Sequence, residues 1–260
     1  MVSKFIILSC IFLSFAHGGI KNERELTHKI ESSRVLCMKI IKSHALIGTK
    51  NHFNDPDTQM KNDYGALNNN LLDINQYLTS HPSENLQKVK ALTEHAAETF
   101  AQLKKNDLLH QNGADKAIAF FKVLEKTRVD INKAAEIMTA KKEKRDVYFF
   151  TTRLSTIAQK MAAVYLYKTW GIALPKLDEH FAMMTRKSGK SIKALEKFAQ
   201  KLQPKEKEVV LKKTHIIKNQ IMFFIMSRQM KGHIPTLLYD KSNKIEHIND
   251  DIVDIFESTK

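Results

Sequence analysis

Apolar residues recur every three or four positions along most of this chain, a spacing that suits helices and excludes half-buried strands. The most regular run is Met60, Tyr64, Leu67, Leu71, Ile74 and Leu78, which lays a single stripe along a helix. A second run is Leu86, Val89, Thr93, Ala96, Phe100 and Leu103, with Pro82 placed to open its first turn. A third is Ala117, Phe120, Leu124, Thr127, Ile131, Ala134 and Met138, preceded by Gly113 and Asp115. The fourth, Val147, Phe150, Leu154, Ile157, Met161 and Val164, has Gly171 positioned to end it as the residue past the C-cap. Runs of this length imply helices of roughly 20–28 residues. Connections at 79–83, 109–115 and 140–145 are short enough for antiparallel neighbours. Phe121, Phe149 and Tyr165 widen the apolar face beyond a coiled-coil stripe.

The expected fold class is therefore all-α, a bundle of long antiparallel helices followed by shorter C-terminal helices. Past Gly171, the breakers Pro175, Gly189, Pro204 and Pro235 divide the chain into segments 175–187, 191–202, 205–231 and 245–257. That suggests one helical domain over 19–260, subdivided into a long-helix part (19–171) and a basic C-terminal part (172–260). No internal repeat is visible.

The first residues carry Lys4, the apolar run Phe5 to Phe15, then Ala16-His17-Gly18. A positive charge, an apolar stretch too short to span a bilayer and small residues before the cut describe a secretory signal over 1–18. No later segment qualifies as a span: the densest, Ile216 to Met226, is interrupted by Lys218, Asn219 and Gln220. The expected location is extracellular. Removing 1–18 takes Cys10 and leaves Cys37, so no internal disulfide can form; on the inner face of the first helix Cys37 is expected to be a buried inert thiol, the other reading being a bridge between two chains. No Asn-X-Ser/Thr sequon occurs.

Catalytic motifs are missing. A helical zinc site wants histidines at i and i+4, but the closest pair here, His44 and His52, lies eight residues apart. A P-loop, a nucleophile elbow and a dinucleotide fingerprint are absent, and eight glycines leave little for a phosphate-cradling loop. The expectation is a protein that is not an enzyme, with no catalytic residue, metal or cofactor.

Charge is the most distinctive feature. The formal net charge is +14, which outside a cell favours anionic partners and also serves solubility. Residues 186–218 concentrate it, with eleven lysines and arginines against three glutamates. On a helix Lys190, Lys193, Lys197 and Lys201 fall along one stripe, opposite Ile192, Leu195, Phe198, Ala199 and Leu202. Arg186, Lys187, Lys190, Lys193, Lys197, Lys201 and Lys205 are thus the candidate polyanion-binding residues, the other reading being the solvated face of a core-packed helix. Lysine in place of arginine favours diffuse electrostatics over bidentate phosphate recognition. The lack of interleaved aromatics argues against nucleic acid. A second basic cluster, Lys141 to Arg145, sits in an interhelical turn.

Two further segments admit a binding role. Met222, Phe223, Phe224 and Met226 could line a pocket for a small hydrophobic ligand or simply fill a core. The C-terminal segment alternates Glu246, Asp250, Asp251, Asp254 and Glu257 with isoleucines that want a groove, and is expected to dock on the same chain, where its carboxylates could lie beside the basic segment; the other reading is a detachable partner helix.

With its signal Met1–Gly18, long helices from Met60 to Val164, lysine-rich body and no disulfide framework, the chain resembles the salivary secreted proteins of blood-feeding insects, particularly the mosquito 30–34 kDa helical group. The resemblance runs over the whole length at the level of class traits and carries no residue-level roles. It implies a non-catalytic effector acting on host coagulation, inflammation or leukocytes. Together these readings favour a secreted binding protein whose partners are a host or extracellular protein, a sulfated glycan or an anionic phospholipid surface. The alternatives are a helical carrier of a hydrophobic ligand and a structural or storage protein.

Overall fold

The computed structural model describes residues 19–109, 113–140, 145–174, 177–227 and 234–259. The signal segment 1–18, the turn residues 141–144 and Pro175 lie outside them. Eight helices account for nearly everything described: α1 (Glu23–Gly48), α2 (Pro56–Ser80), α3 (Glu84–Lys105), α4 (Ala114–Met138), α5 (Val147–Thr169), α6 (Leu177–Ala199), α7 (Pro204–Ser227) and α8 (Pro235–Ser258). No strand occurs among the described residues, and the fold is an all-α bundle.

Local chemistry starts and stops these helices. Asn22 caps α1 by accepting the Glu25 amide at 2.9 Å, while the Glu25 carboxylate accepts the Lys21 amide at 2.8 Å. Asp55 and Asp146 accept the amides of Thr58 and Phe149 at the starts of α2 and α5. At the far end of α5, Gly171 takes φ +83°, and the Ile172 amide reaches back to the Tyr167 carbonyl at 2.9 Å. That left-handed closure favours a residue without a Cβ.

The apolar runs become the core. Every member of the second and third runs is buried, as are Leu67, Leu71, Ile74 and Leu78 of the first. The C-terminal boundaries differ from expectation. The α6 helix passes straight through Gly189 because an isolated glycine costs about 1 kcal/mol, less than the burial of Phe181, Met184, Ile192 and Leu195 returns. Pro204 and Pro235 open helices instead of dividing them, which suits a residue lacking an N–H. The last helix accordingly starts at Pro235, ten residues before the expected 245, and buries Leu238 and Tyr239 in that added length.

The contacts close into two rings. Helices α1 to α4 pack each on the next, and α4 returns to α1; α5 to α8 do the same, with α8 returning to α5. Helices α1 and α5 join the rings and run parallel: His28 stacks on Tyr148 near their starts, and Gly48 meets Trp170 at their ends. A Cβ on Gly48 would overlap the Trp170 indole, so the ring packs in this position only over a residue without one. The repetition is one of topology, which side-chain identities need not echo.

Polar groups mark the boundary between the rings. Lys39 Nζ of α1 lies 3.2 Å from Glu246 of α8 and 3.4 Å from Asp63 of α2. Gln159 of α5 donates to the same Glu246 at 2.7 Å. Lys42 is wholly buried, donates to Ser242 and Asn243 at 3.0 and 2.5 Å, and lies over the Tyr239 ring. Cys37 is free and fully buried, and burial pushes its thiol well above the ordinary range, so it is inert.

Candidate anion-binding surface

The basic residues of α6 acquire their positions from the helix they share. Ile192, Leu195 and Ala199 are buried against the core, which turns the opposite face outward. Arg186, Lys190, Lys193 and Lys197 are exposed on that face, Lys201 continues the line in the following turn, and Lys205 is exposed at the start of α7. From Lys190 to Lys201 the row extends roughly 16 Å at the α-helical rise. None of these six side chains has an ion pair among the described residues. Elsewhere in the basic segment Lys213 does find one, Asp251 of α8 at 2.5 Å, so α8 docks as expected and places a carboxylate beside part of that segment.

Lys187 stands apart from the row. It is half-buried, and burial first, then the charges of Arg153, Arg128 and Arg34, lower its pKa against the opposing pull of Glu136. Arg34 is brought down to about 9 by burial and by Arg153 and Arg128. It pairs with Glu31 one turn away and donates to Asn132 at 2.9 Å. Arg153 is lowered by burial and by Arg145, with Glu136 opposing. Behind the exposed row, then, Arg34, Arg128, Arg153 and Lys187 of α1, α4, α5 and α6 lie close enough to repel one another, with Glu31, Glu125 and Glu136 among them as counter-charges.

At one end of the molecule this charge meets aromatic surface. Phe149 and Phe150 lie near the start of α5, Phe198 near the end of α6 and Phe256 near the end of α8. Consecutive ring centroids are 5.0, 5.9 and 6.3 Å apart, within the range of favourable edge-to-face and tilted contacts. Two grooves adjoin along Phe198 and Lys201. The first, about 250 Å³, is lined by Phe150, Ala194, Phe198, Arg145, Lys197 and Lys201. The second, about 280 Å³, takes in Val147, Leu202, Val253 and Phe256, together with Arg24, Asp146 and Glu257. Lys201 Nζ sits 5.4 Å from the Phe198 ring centre, and the guanidinium of Arg145 the same distance from Phe149. Arg145 is further held by donation from Nε to the Thr139 carbonyl at 3.2 Å.

Of the expected site residues, the structure brings Lys197 and Lys201 to this groove and leaves Arg186, Lys190, Lys193 and Lys205 exposed along the approach to it. Within the basic turn only Arg145 is described, and it lines the groove. The candidate hydrophobic-ligand residues part company: Met222 and Met226 are exposed, Phe224 is buried in the core, and Phe223 lies half-buried beneath the ammonium of Lys241. Sequence reasoning did not single out Phe150 and Phe198 as site residues. Both fall on apolar stripes, and only their places at helix ends, where the stripe runs past its partner, set them apart.

No family model, curated protein or solved structure matches the chain.

Proposed function

We propose that this chain is an exported, non-enzymatic binding protein that engages a linear sulfated polyanion through α6, and by that contact modulates host or extracellular processes such as haemostasis or inflammation. One observation carries the reading: Lys190, Lys193, Lys197 and Lys201 form an exposed row without carboxylate partners among the described residues, on a helix whose apolar side is already spent in the core. What sets α6 apart is not exposure, which Lys61, Lys88, Lys105 and Lys116 share, but four lysines in succession along one stripe with no paired carboxylates among the described residues. Leaving four in line without them concentrates counterions, and a polyanion that displaces those counterions gains free energy in proportion to their number. The spent apolar side also separates this surface from a membrane-inserting amphipathic helix, which needs its apolar face free. The resemblance to salivary effectors supports the host-directed part of the reading.

The test is retention on immobilised heparin across a salt gradient. Reversing Lys190, Lys193, Lys197 and Lys201 to Glu lowers the eluting salt far more than reversing Lys61, Lys88, Lys105 and Lys116, which are exposed on α2, α3 and α4 and change the net charge equally. Equal losses for the two variants would reduce the effect to net charge and remove α6 from the proposal.

A further inference from the structure

We propose that the two grooves beside Phe198 form one site for a single-chain amphiphilic anion, a long-chain carboxylate being its simplest form, with the head group among Arg145, Lys197 and Lys201. The first groove supplies three cations and no carboxylate. A polar but uncharged ligand leaves that imbalance unmet, and a purely apolar one desolvates the cations without compensation. In the second groove Arg24 is already engaged by Asp146 at 3.9 Å and Glu257 at 3.7 Å, so beyond the shared Lys201 that end adds two carboxylates and only a paired cation. It offers Val147, Leu202, Val253 and Phe256 instead, which suit an acyl chain. The asymmetry therefore orients the ligand, head toward Arg145 and chain across Phe198 toward Phe256. Each groove alone is smaller than an ordinary small-molecule pocket of roughly 300–1,000 Å³, and the two in series fall within that range.

A free amphiphile fits better than a bilayer surface. Phe150 and Phe198 line a concave groove, and Phe181, Met184, Ile192, Leu195 and Ala199 of α6 are buried, which leaves Met183 as its one large exposed apolar side chain among the described residues, too little to seat the helix in a membrane. A sulfated glycan has no counterpart for the aromatic floor. The site shares Lys197 and Lys201 with the polyanion row but not Lys190 and Lys193, so the two readings fail separately.

Isothermal titration of the purified protein with oleate, oleyl alcohol and inorganic phosphate tests this. Oleate binds; the uncharged alcohol and the chainless anion each bind at least roughly tenfold more weakly, a loss of about 1.4 kcal/mol. Ala194→Trp fills the first groove without touching its cations, and it abolishes oleate binding while leaving heparin retention intact. Should that variant melt early by circular dichroism, Phe198→Ser provides the second measurement. Lys197→Glu with Lys201→Glu weakens both ligands, whereas Lys190→Glu with Lys193→Glu weakens heparin alone. Oleate affinity unchanged in both groove variants, equal affinity for oleate and oleyl alcohol, or binding seen only with phosphatidylserine vesicles would each overturn the proposal.

Discussion

The boundary between the two rings and the outer face of α6 both carry lysines, and their surroundings are opposite. At the boundary Lys39, Lys42 and Lys160 are drawn inside, and each is met by acceptors: Glu246 and Asp63, Ser242 and Asn243, and Glu125 respectively. On α6 the lysines stand in water with no carboxylate against them among the described residues. Burying an ammonium is costly unless its partners are in place, so the boundary lysines are committed to the fold. Exposed charges cost the fold little and remain available to a ligand. If that division holds, charge changes at the boundary move stability, and charge changes on α6 move binding. Variants of each kind can break it.

The largest effect belongs to Glu125. Its carboxylate accepts from Arg128 Nε and Nη2 at 2.9 and 2.7 Å on the same helix and from Lys160 of α5 at 2.6 Å, tying the first ring to the second. Burial alone pushes its pKa up, but the hydrogen bonds and charges of Arg128 and Lys160 outweigh that and bring it down to about 2. Glu125→Gln leaves two largely buried cations without a counter-charge. Chemical denaturation at pH 7 then shows a loss of about 3 kcal/mol. A loss below about 0.5 kcal/mol, typical of a surface substitution, would mean that the boundary charges are no more structural than those on α6.

That contrast also decides what the sequence could reveal. Helix periodicity exposed the core runs, because burial selects for apolar residues at fixed spacing whatever their partners. The exposed lysine row was legible for the same reason: Ile192, Leu195 and Ala199 fix one side of α6, and the lysines must take the other. Pairings across the ring boundary were not legible. Nothing in the periodicity separates Lys42 and Lys160 from the chain's other lysines, and only the partners that α8 and α4 bring to them show that they are buried. The groove was half legible. Its cations belong to runs of basic residues, but its floor, Phe150 and Phe198, comes from helix ends nearly fifty residues apart whose meeting depends on how the second ring closes.

Acid sharpens the comparison through a different residue. His44 stacks on Phe120 of α4 at 3.8 Å and bonds the Tyr167 hydroxyl of α5 at 2.9 Å, again between the rings. Burial brings its pKa from 6.5 down to about 4. The unfolded chain therefore binds a proton that the folded chain resists, and the His44 contribution to stability falls as pH drops from about 6.5 to about 4, while Asp250, raised by burial to about 6, works against it over part of that window. The loss is on the order of 3 kcal/mol over that window. Glu125 loses its own contribution as pH falls from its unfolded value of 4.5 toward about 2, so its loss begins only at the foot of this limb. Melting curves of the wild type and His44→Phe should converge in their pH dependence between 7 and 4 only if another buried group, not His44, sets the acid limb.

The smallest stability effect is the one that tests the other half of the division. Lys190, Lys193, Lys197 and Lys201 are exposed and pair with no carboxylate among the described residues, and reversing them to Glu removes mutual repulsion as well as attraction for anions. Their contribution to folding is bounded by the screened interactions of surface charges, so each change stays within about 0.5 kcal/mol. The quadruple variant should unfold at nearly the wild-type denaturant concentration in moderate salt, with an unchanged slope. Paired with a large fall in heparin retention, that result assigns these charges to binding. A fall in stability comparable to that of Glu125→Gln would show instead that the row holds α6 in place, and the polyanion reading would lose the observation on which it stands.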